Sequence, residues 1–203
     1  FISQYLESSV RASVGETAVE IVQQPCDQAN PTVRITLDNV KHLGRPDCWE
    51  QMIRITAAEK KVFSVAFRCP QWVSGAVTIL INGSPVQPVS DGRGNLVVTR
   101  EWSTDQVTIV MPKAITYYPL ADDPSTGAFL DGPIALAALT EEERTLYYRQ
   151  NPAEILVPCD ERRWGQWLSG WKTSGQAVNL RFVPLYEIGD QRYTTYFPME
   201  QRK

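Results

Sequence analysis

Val62-Phe63-Ser64-Val65-Ala66-Phe67-Arg68-Cys69-Pro70-Gln71-Trp72 opens a stretch that continues through Val77-Thr78-Ile79-Leu80-Ile81-Asn82-Gly83-Ser84-Pro85-Val86. It then runs through Asn95-Leu96-Val97-Val98-Thr99-Arg100-Glu101-Trp102 to Asp105-Gln106-Val107-Thr108-Ile109-Val110-Met111-Pro112. Apolar residues recur at every second position: Phe63, Val65, Phe67 and Cys69; then Val77, Ile79 and Ile81; then Leu96 and Val98; then Val107, Ile109 and Met111. Side chains on a strand alternate between faces, so each piece reads as a strand with one face on a core. Asn82-Gly83 tolerates positive φ at both residues and predicts a hairpin. Asp91-Gly92-Arg93-Gly94 predicts a second reversal. Pro70 and Pro112 end strands because proline cannot donate to the ladder. Four antiparallel strands are expected here.

The pattern extends outward on both sides. Residues 1–6, 10–14 and 19–24 read as short strands, and residues 32–37 alternate cleanly. Residues 52–57 and 62–68 read as a hairpin whose turn is the charged run Ala58-Glu59-Lys60-Lys61. Beyond Pro112, residues 114–120, 134–139, 154–157, 178–183 and 191–197 are expected strands. Thr140-Glu141-Glu142-Glu143 has the spacing of a capping box and predicts a short helical turn through Tyr147. The expected fold class is all-β: an antiparallel, jelly-roll-like β-sandwich in two packed units, residues 1–112 and 113–203.

With 203 residues, 43% hydrophobic and 21% charged, the chain is of a size and composition that can bury a core. A formal net charge of −3 with no basic stripe argues against nucleic acid and anionic membranes as partners. No apolar run reaches the roughly 18 residues of a membrane span. The first residues, Phe1-Ile2-Ser3-Gln4-Tyr5, read as the inside of a longer polypeptide.

Chemistry-bearing groups are sparse. The single histidine, His42, sits in a loop rich in Gly and Pro, and no nucleophile elbow or phosphate-cradling glycine run exists. Glycoside hydrolysis needs two carboxylates across a sugar ring. Asp122-Asp123, Glu141 to Glu143 and Asp160-Glu161 are the adjacent acids, and all read as solvated turn charge. Asp122-Asp123 with Ser125 and Thr126 lacks the spaced oxygens of a calcium loop. Of the four cysteines, Cys69 follows an inward strand position, Cys26 and Cys48 lie in loop-like segments and could pair, and Cys159 is isolated. No catalytic or metal residue is assigned, and no cofactor is expected. Trp72 and Trp102 read as plugs at the core edge. Trp164, Trp167 and Trp171, near Arg162 and Arg163, either fill a core or interface or form a platform on which sugar rings stack.

Several motifs carry a family likeness. Phe67-Arg68-Cys69-Pro70-Gln71-Trp72 resembles the Arg-Ile-Pro-x-Trp element of the bacterial β-L-arabinofuranosidases of glycoside hydrolase family 127. Ile81-Asn82-Gly83 is similar to that family's Val-Asn-Gly hairpin. The segment from Arg100 through Glu101, Trp102 and Asp105 to Val107 resembles its Arg-x-Trp-x-x-Gly-Asp-x-Val, with Met111-Pro112 standing for a Pro-Met in reversed order. Asp131-Gly132-Pro133-Ile134 resembles a Gly-Pro turn. The segment from Pro184 to Tyr196 is similar to the closing motif, with Gly189 in place of a histidine. Cys69 stands where the family has an aliphatic residue.

The resemblance implies a large α/α-barrel catalytic domain ahead of these β-units, with a zinc-bound cysteine nucleophile and a glutamate acid/base in that barrel. None of those residues has a counterpart here. It therefore implies a non-catalytic C-terminal β-sandwich region of a glycoside hydrolase. The partner it implies is the barrel of the same protein, and the compartment is periplasmic or secreted. The alternative is a carbohydrate-binding module using Trp164, Trp167 and Trp171 on a plant-type glycan. An independent enzyme with an unrecognised carboxylate pair is the third reading.

Overall fold

The computed structural model describes residues 18–20, 33–39, 47–163 and 166–202. Among these residues every regular element is a strand or a short 3-10 turn, so the expected all-β fold is what the chain forms. The chain divides into two compact units, one ending at Pro112 and one that takes Asp47 together with the residues from Lys113 onward.

The first unit contains β1 (Ala18–Glu20), β2 (Val33–Asn39), β3 (Cys48–Arg68), β4 (Thr78–Ile81), β5 (Ser84–Val86), β6 (Val89–Ser90) and β7 (Asn95–Pro112). Its frame is one long antiparallel ribbon. β3 and β7 pair from Cys48↔Pro112 to Arg68↔Asn95, and the register shifts between Thr56 and Lys61. There the residues after Thr56 outnumber those opposite, which is a bulge that bends and twists the ribbon. The front half of the ribbon pairs β3 with β2 and β7 with β4, which pairs in turn with β5. The back half pairs β3 with β1, in parallel, and β7 with β6. Inward residues of both halves meet in one core: Ile53 and Ile55 from the front of β3, Phe63, Val65 and Phe67 from its back, and Ile79, Val98, Trp102 and Val107. One folded sheet thus supplies both layers of a sandwich.

Two sequence expectations are corrected here. Residues 52–68 are one continuous strand, not a hairpin, and the third and fourth predicted strands are the single strand β7. The charges at Glu59, Lys60 and Lys61 are exposed, as in a turn. Yet they stand at the bulge, where the ribbon passes from one layer to the other, and the chain continues in its direction. The reversals that sequence located do form. Asn82 (φ 51) and Gly83 (φ 81) make the two-residue β4–β5 turn, and Gly92 and Gly94 take positive φ in the loop before β7. Trp102 is fully buried at the centre of the core, whereas Trp72 is the one that packs at its margin.

The second unit contains β8 (Ile115–Pro119), β9 (Thr126–Asp131), β10 (Ile134–Leu139), β11 (Leu146–Tyr148), β12 (Leu156–Pro158), β13 (Glu161–Arg163), β14 (Gln166–Leu168), β15 (Trp171–Thr173), β16 (Arg181–Pro184), β17 (Tyr193–Thr194) and β18 (Phe197–Gln201). Nine of these form one sheet in the order β11-β18-β9-β10-β16-β15-β12, with β8 on β9 and β17 on β10. All its pairs are antiparallel except β11 with β18. β13 and β14 form a separate hairpin. Phe129, Phe182 and Phe197, from three strands, stack edge-on or tilted with centroids 5.3 to 5.6 Å apart and seed the core.

The capping-box expectation fails. Thr140 Oγ1 accepts from the Glu142 N–H, a local turn, and Leu146–Tyr148 is taken up as a strand against β18. Residues 154–157 are split between a 3-10 turn, Pro152–Ile155, and β12. The strands expected in residues 1–6 and 10–14 lie outside the described residues.

Candidate functional site

Part of what the sequence singles out falls within the described residues. Trp164 and His42 lie outside the described residues. Trp167 is on β14 with Arg162 as its register partner on β13. Trp171 is 6% exposed and belongs to the core of the second unit beside Leu156 and Phe182. Glu161 pairs with Arg181 on the neighbouring β16. Asp123 closes the turn between β8 and β9, where Oδ1 accepts from the Ser125 N–H and hydroxyl. These bonds, the hydroxyl first, hold its carboxyl below the usual range. That turn is built by the acid for itself, as the solvated-charge reading expects.

Cys48, Cys69 and Cys159 are free thiols. Cys48 begins a strand rather than sitting in a loop, and its expected partner Cys26 lies outside the described residues. Cys69 is half-buried just past the end of β3, where its N–H donates to the Gly94 carbonyl. Among the described residues no three His, Cys, Asp or Glu side chains come together, so they offer no ligand set for the zinc that the family resemblance implies.

A dense polar cluster sits at the β4–β5 turn. Asp105 is 4% exposed. Its carboxylate accepts from Asn82 Nδ2 at 2.8 Å and from the Ser103 N–H at 2.9 Å, and Arg100 stands 3.7 Å away. Asn82 answers through its own backbone and side chain, donating its N–H to the Gln106 carbonyl and accepting the Gln106 N–H at Oδ1. The buried Trp102 donates from Nε1 to the Phe63 carbonyl, and the Arg100 guanidinium lies over its ring. The Asn-Gly and Arg-x-Trp motifs therefore act on each other across the sheet. Sequence reading missed this coupling, although an Asn at a positive-φ turn and an inward Asp on a strand were its signals.

Two other features are available for contact. On the back layer of the first unit, β6 and β7 border a cleft of about 470 Å³ lined by Gln87, Val89, Ser90, Asp91, Val97 and Thr99 among others. Asp91 at its rim is saturated by its own loop. Its carboxylate accepts from the Asn95 side chain and from the Arg93 and Asn95 N–H groups. The Asn95 side chain, first among these, lowers the Asp91 pKa. In the second unit Lys113 and Asp131 form a buried ion pair. Nearby, desolvation pushes the carboxyl of the exposed Glu187 up, with Arg181 pulling the other way.

Comparison with known proteins gives these features a context. The family model described as "Beta-L-arabinofuranosidase, GH127 middle domain" matches residues 1–113. A GH127 β-L-arabinofuranosidase from Geobacillus stearothermophilus T6 superposes with a TM-score of 0.62 at 14% identity, over 92% of this chain and 34% of that one. A structure titled "Glycoside hydrolase" gives 0.57 at 16% identity, over 84% and 33%. A GH127 β-arabinofuranosidase gives 0.54 at 19% identity, over 91% and 36%. No curated protein sequence matches. The chain spans about a third of the length of these structures, and at such identities they report the fold. Since the family match covers more than half of its residues, the chain belongs to the GH127 β-L-arabinofuranosidase middle-domain family.

Proposed function

We propose that this chain is the non-catalytic β-sandwich region of a bacterial glycoside hydrolase of the β-L-arabinofuranosidase type. Its work is mechanical: to pack against and stabilise a catalytic α/α-barrel domain of the same polypeptide. Residues 1–112 and 113–203 act as its two folding units, and the parent enzyme works in the periplasm or outside the cell. The observation that carries the reading is the pairing of a middle-domain match over residues 1–113 with solved relatives about three times as long. The internal economy of the first unit agrees with it. Its motif side chains are spent on one another: Asp105 on Asn82 and Ser103, Trp102 on Phe63.

The test is direct. The purified chain, given zinc and a thiol reductant, should release no aryl group from an aryl β-L-arabinofuranoside, while the protein encoded by the complete reading frame should. Turnover by the chain alone would overturn the reading. So would an upstream frame that encodes no helical domain with closely spaced cysteines. Gel retardation on arabinan, pectin or xylan decides whether a plant-type glycan is a second partner; Trp167→Ala would have to abolish the shift.

A further inference from the structure

The back layer of the first unit presents an outer face of unusual composition for a chain that is 21% charged. Register places Val62 opposite Glu101, Ser64 opposite Thr99, Ala66 opposite Val97 and Val89 opposite Val97, all pointing away from the core. Val62 is 59% exposed and Val89 is 70% exposed. The two hydroxyls at the centre bond each other at 2.7 Å, so one of their two O–H donors keeps its partner when water leaves. Along β3 and β7 charge appears on this face only at the ends, at Arg68 on one side and at Glu101, 3.9 Å from Lys60, on the other. The front layer is different: Arg54 stands exposed on its outward side, with Glu50 in the same alternation.

We propose that this face of β3, β7 and β6 is the seat of the domain that precedes the middle-domain unit in the same polypeptide. The inference rests on the reading given under Proposed function, and adds where on this chain the contact is made. Three observations select that occupant. Solved relatives carry about two-thirds of their length outside the part that this chain covers. The first described strand, β1, joins this same layer, against Ser64–Ala66, and so borders the face on the side of β3 away from β7. Two strands of about eight residues and the two-residue β6 present about 300 Å² at ordinary strand spacing and rise. That is the lower end of one side of an interdomain contact within a chain. The occupant's matching surface is uncharged and apolar, and the cleft beside Val89 and Val97 admits one of its side chains.

Val62→Cys and Val89→Cys, each alone, with Arg54→Cys as the control, would be made in this chain and in the protein of the complete reading frame. Maleimide labelling would be read site by site by mass spectrometry. Both valines are exposed, so the variants should melt as the parent does; a variant that does not is replaced by Thr99→Cys on the same face. The expected result is labelling at positions 62 and 89 slowed at least about tenfold in the complete protein, with position 54 unchanged. Equal rates in both would overturn the proposal while leaving the non-catalytic reading intact. Slow labelling of this chain alone that quickens on dilution would overturn it in favour of a second copy. A complete frame with no preceding domain would remove both readings together.

Discussion

Asp105→Ala tests whether the motif residues of the first unit are structural. The substitution removes acceptors from Asn82 Nδ2 and from the Ser103 N–H, at 2.8 and 2.9 Å, in a position that is 4% exposed. A hydrogen bond to a charged group contributes about 1.5–3 kcal/mol net, and a buried donor left without a partner costs its desolvation in addition. Arg100, partly exposed and 3.7 Å distant, adds little. The expected loss is therefore about 3–5 kcal/mol, a large share of the stability of a small domain. Because the second unit has its own core, native-state hydrogen exchange is the suitable assay, with amides of β4 and β7 read apart from those of β9 and β10. A double-mutant cycle with Asn82→Gly isolates the pair, since glycine accepts the φ of 51 without strain. Coupling of about 1–3 kcal/mol is expected. A loss below about 1 kcal/mol, or additivity within about 0.5 kcal/mol, would refute the clamp.

Trp102→Ala opens a cavity at the ribbon's centre and orphans the Phe63 carbonyl, so urea unfolding should show a loss of about 3–5 kcal/mol in the first unit alone. Trp171→Ala should act as a core deletion, destabilising the second unit by a similar about 3–5 kcal/mol and leaving retention on glycan gels unchanged. Gly127→Ala would drive a Cβ into the Tyr118 carbonyl oxygen and set it 2.6 Å from the Tyr117 ring; a drop in melting temperature equivalent to at least about 2 kcal/mol is expected. For Asp91, carboxyl NMR titration should find a pKa below the ordinary 3.8, moving back up in Asn95→Ala. Its stabilising bonds are present above the unfolded value and lost as pH falls through the folded one. Glu187 has the opposite sign. Its raised pKa makes the folded state less stable as pH climbs from the ordinary carboxylate range through the folded value, and Glu187→Gln should remove that slope from melting curves.

Period-two alternation made nearly every strand of the central stretch legible, because one buried face imposes it residue by residue. What it could not show is continuity. A run such as Ala58-Glu59-Lys60-Lys61 satisfies a turn and an exposed bulge equally well, and only the pairing of β3 with β7 along its length decides between them. The same limit explains Thr140 to Glu143, whose spacing suits a helix start. Leu146 and its neighbours instead complete a sheet with β18, a partner more than fifty residues away. Trp171 was ambiguous for a related reason. An aromatic residue near arginines reads alike as platform or as core until its strand is placed between β12 and β16.

The residues that carry the family likeness bear on how far that likeness can be taken. Asn82, Gly83, Arg100, Trp102 and Asp105 are far apart in the chain, yet they meet at the turn that fixes β4 and β5 against β7. A positive-φ Asn facing a buried Asp is a demand of the backbone, and any sequence that makes this turn in this way must meet it. Such residues identify a fold lineage with good specificity while saying nothing about which bond the parent protein breaks. Chemistry would have to come from side chains that the fold does not consume. On the first unit the outward positions of the back layer, from Val62 to Ala66 and at Val89 and Thr99, carry hydroxyl and methyl groups, with Glu101 at their margin. A surface of that kind can be covered by another domain at little desolvation cost.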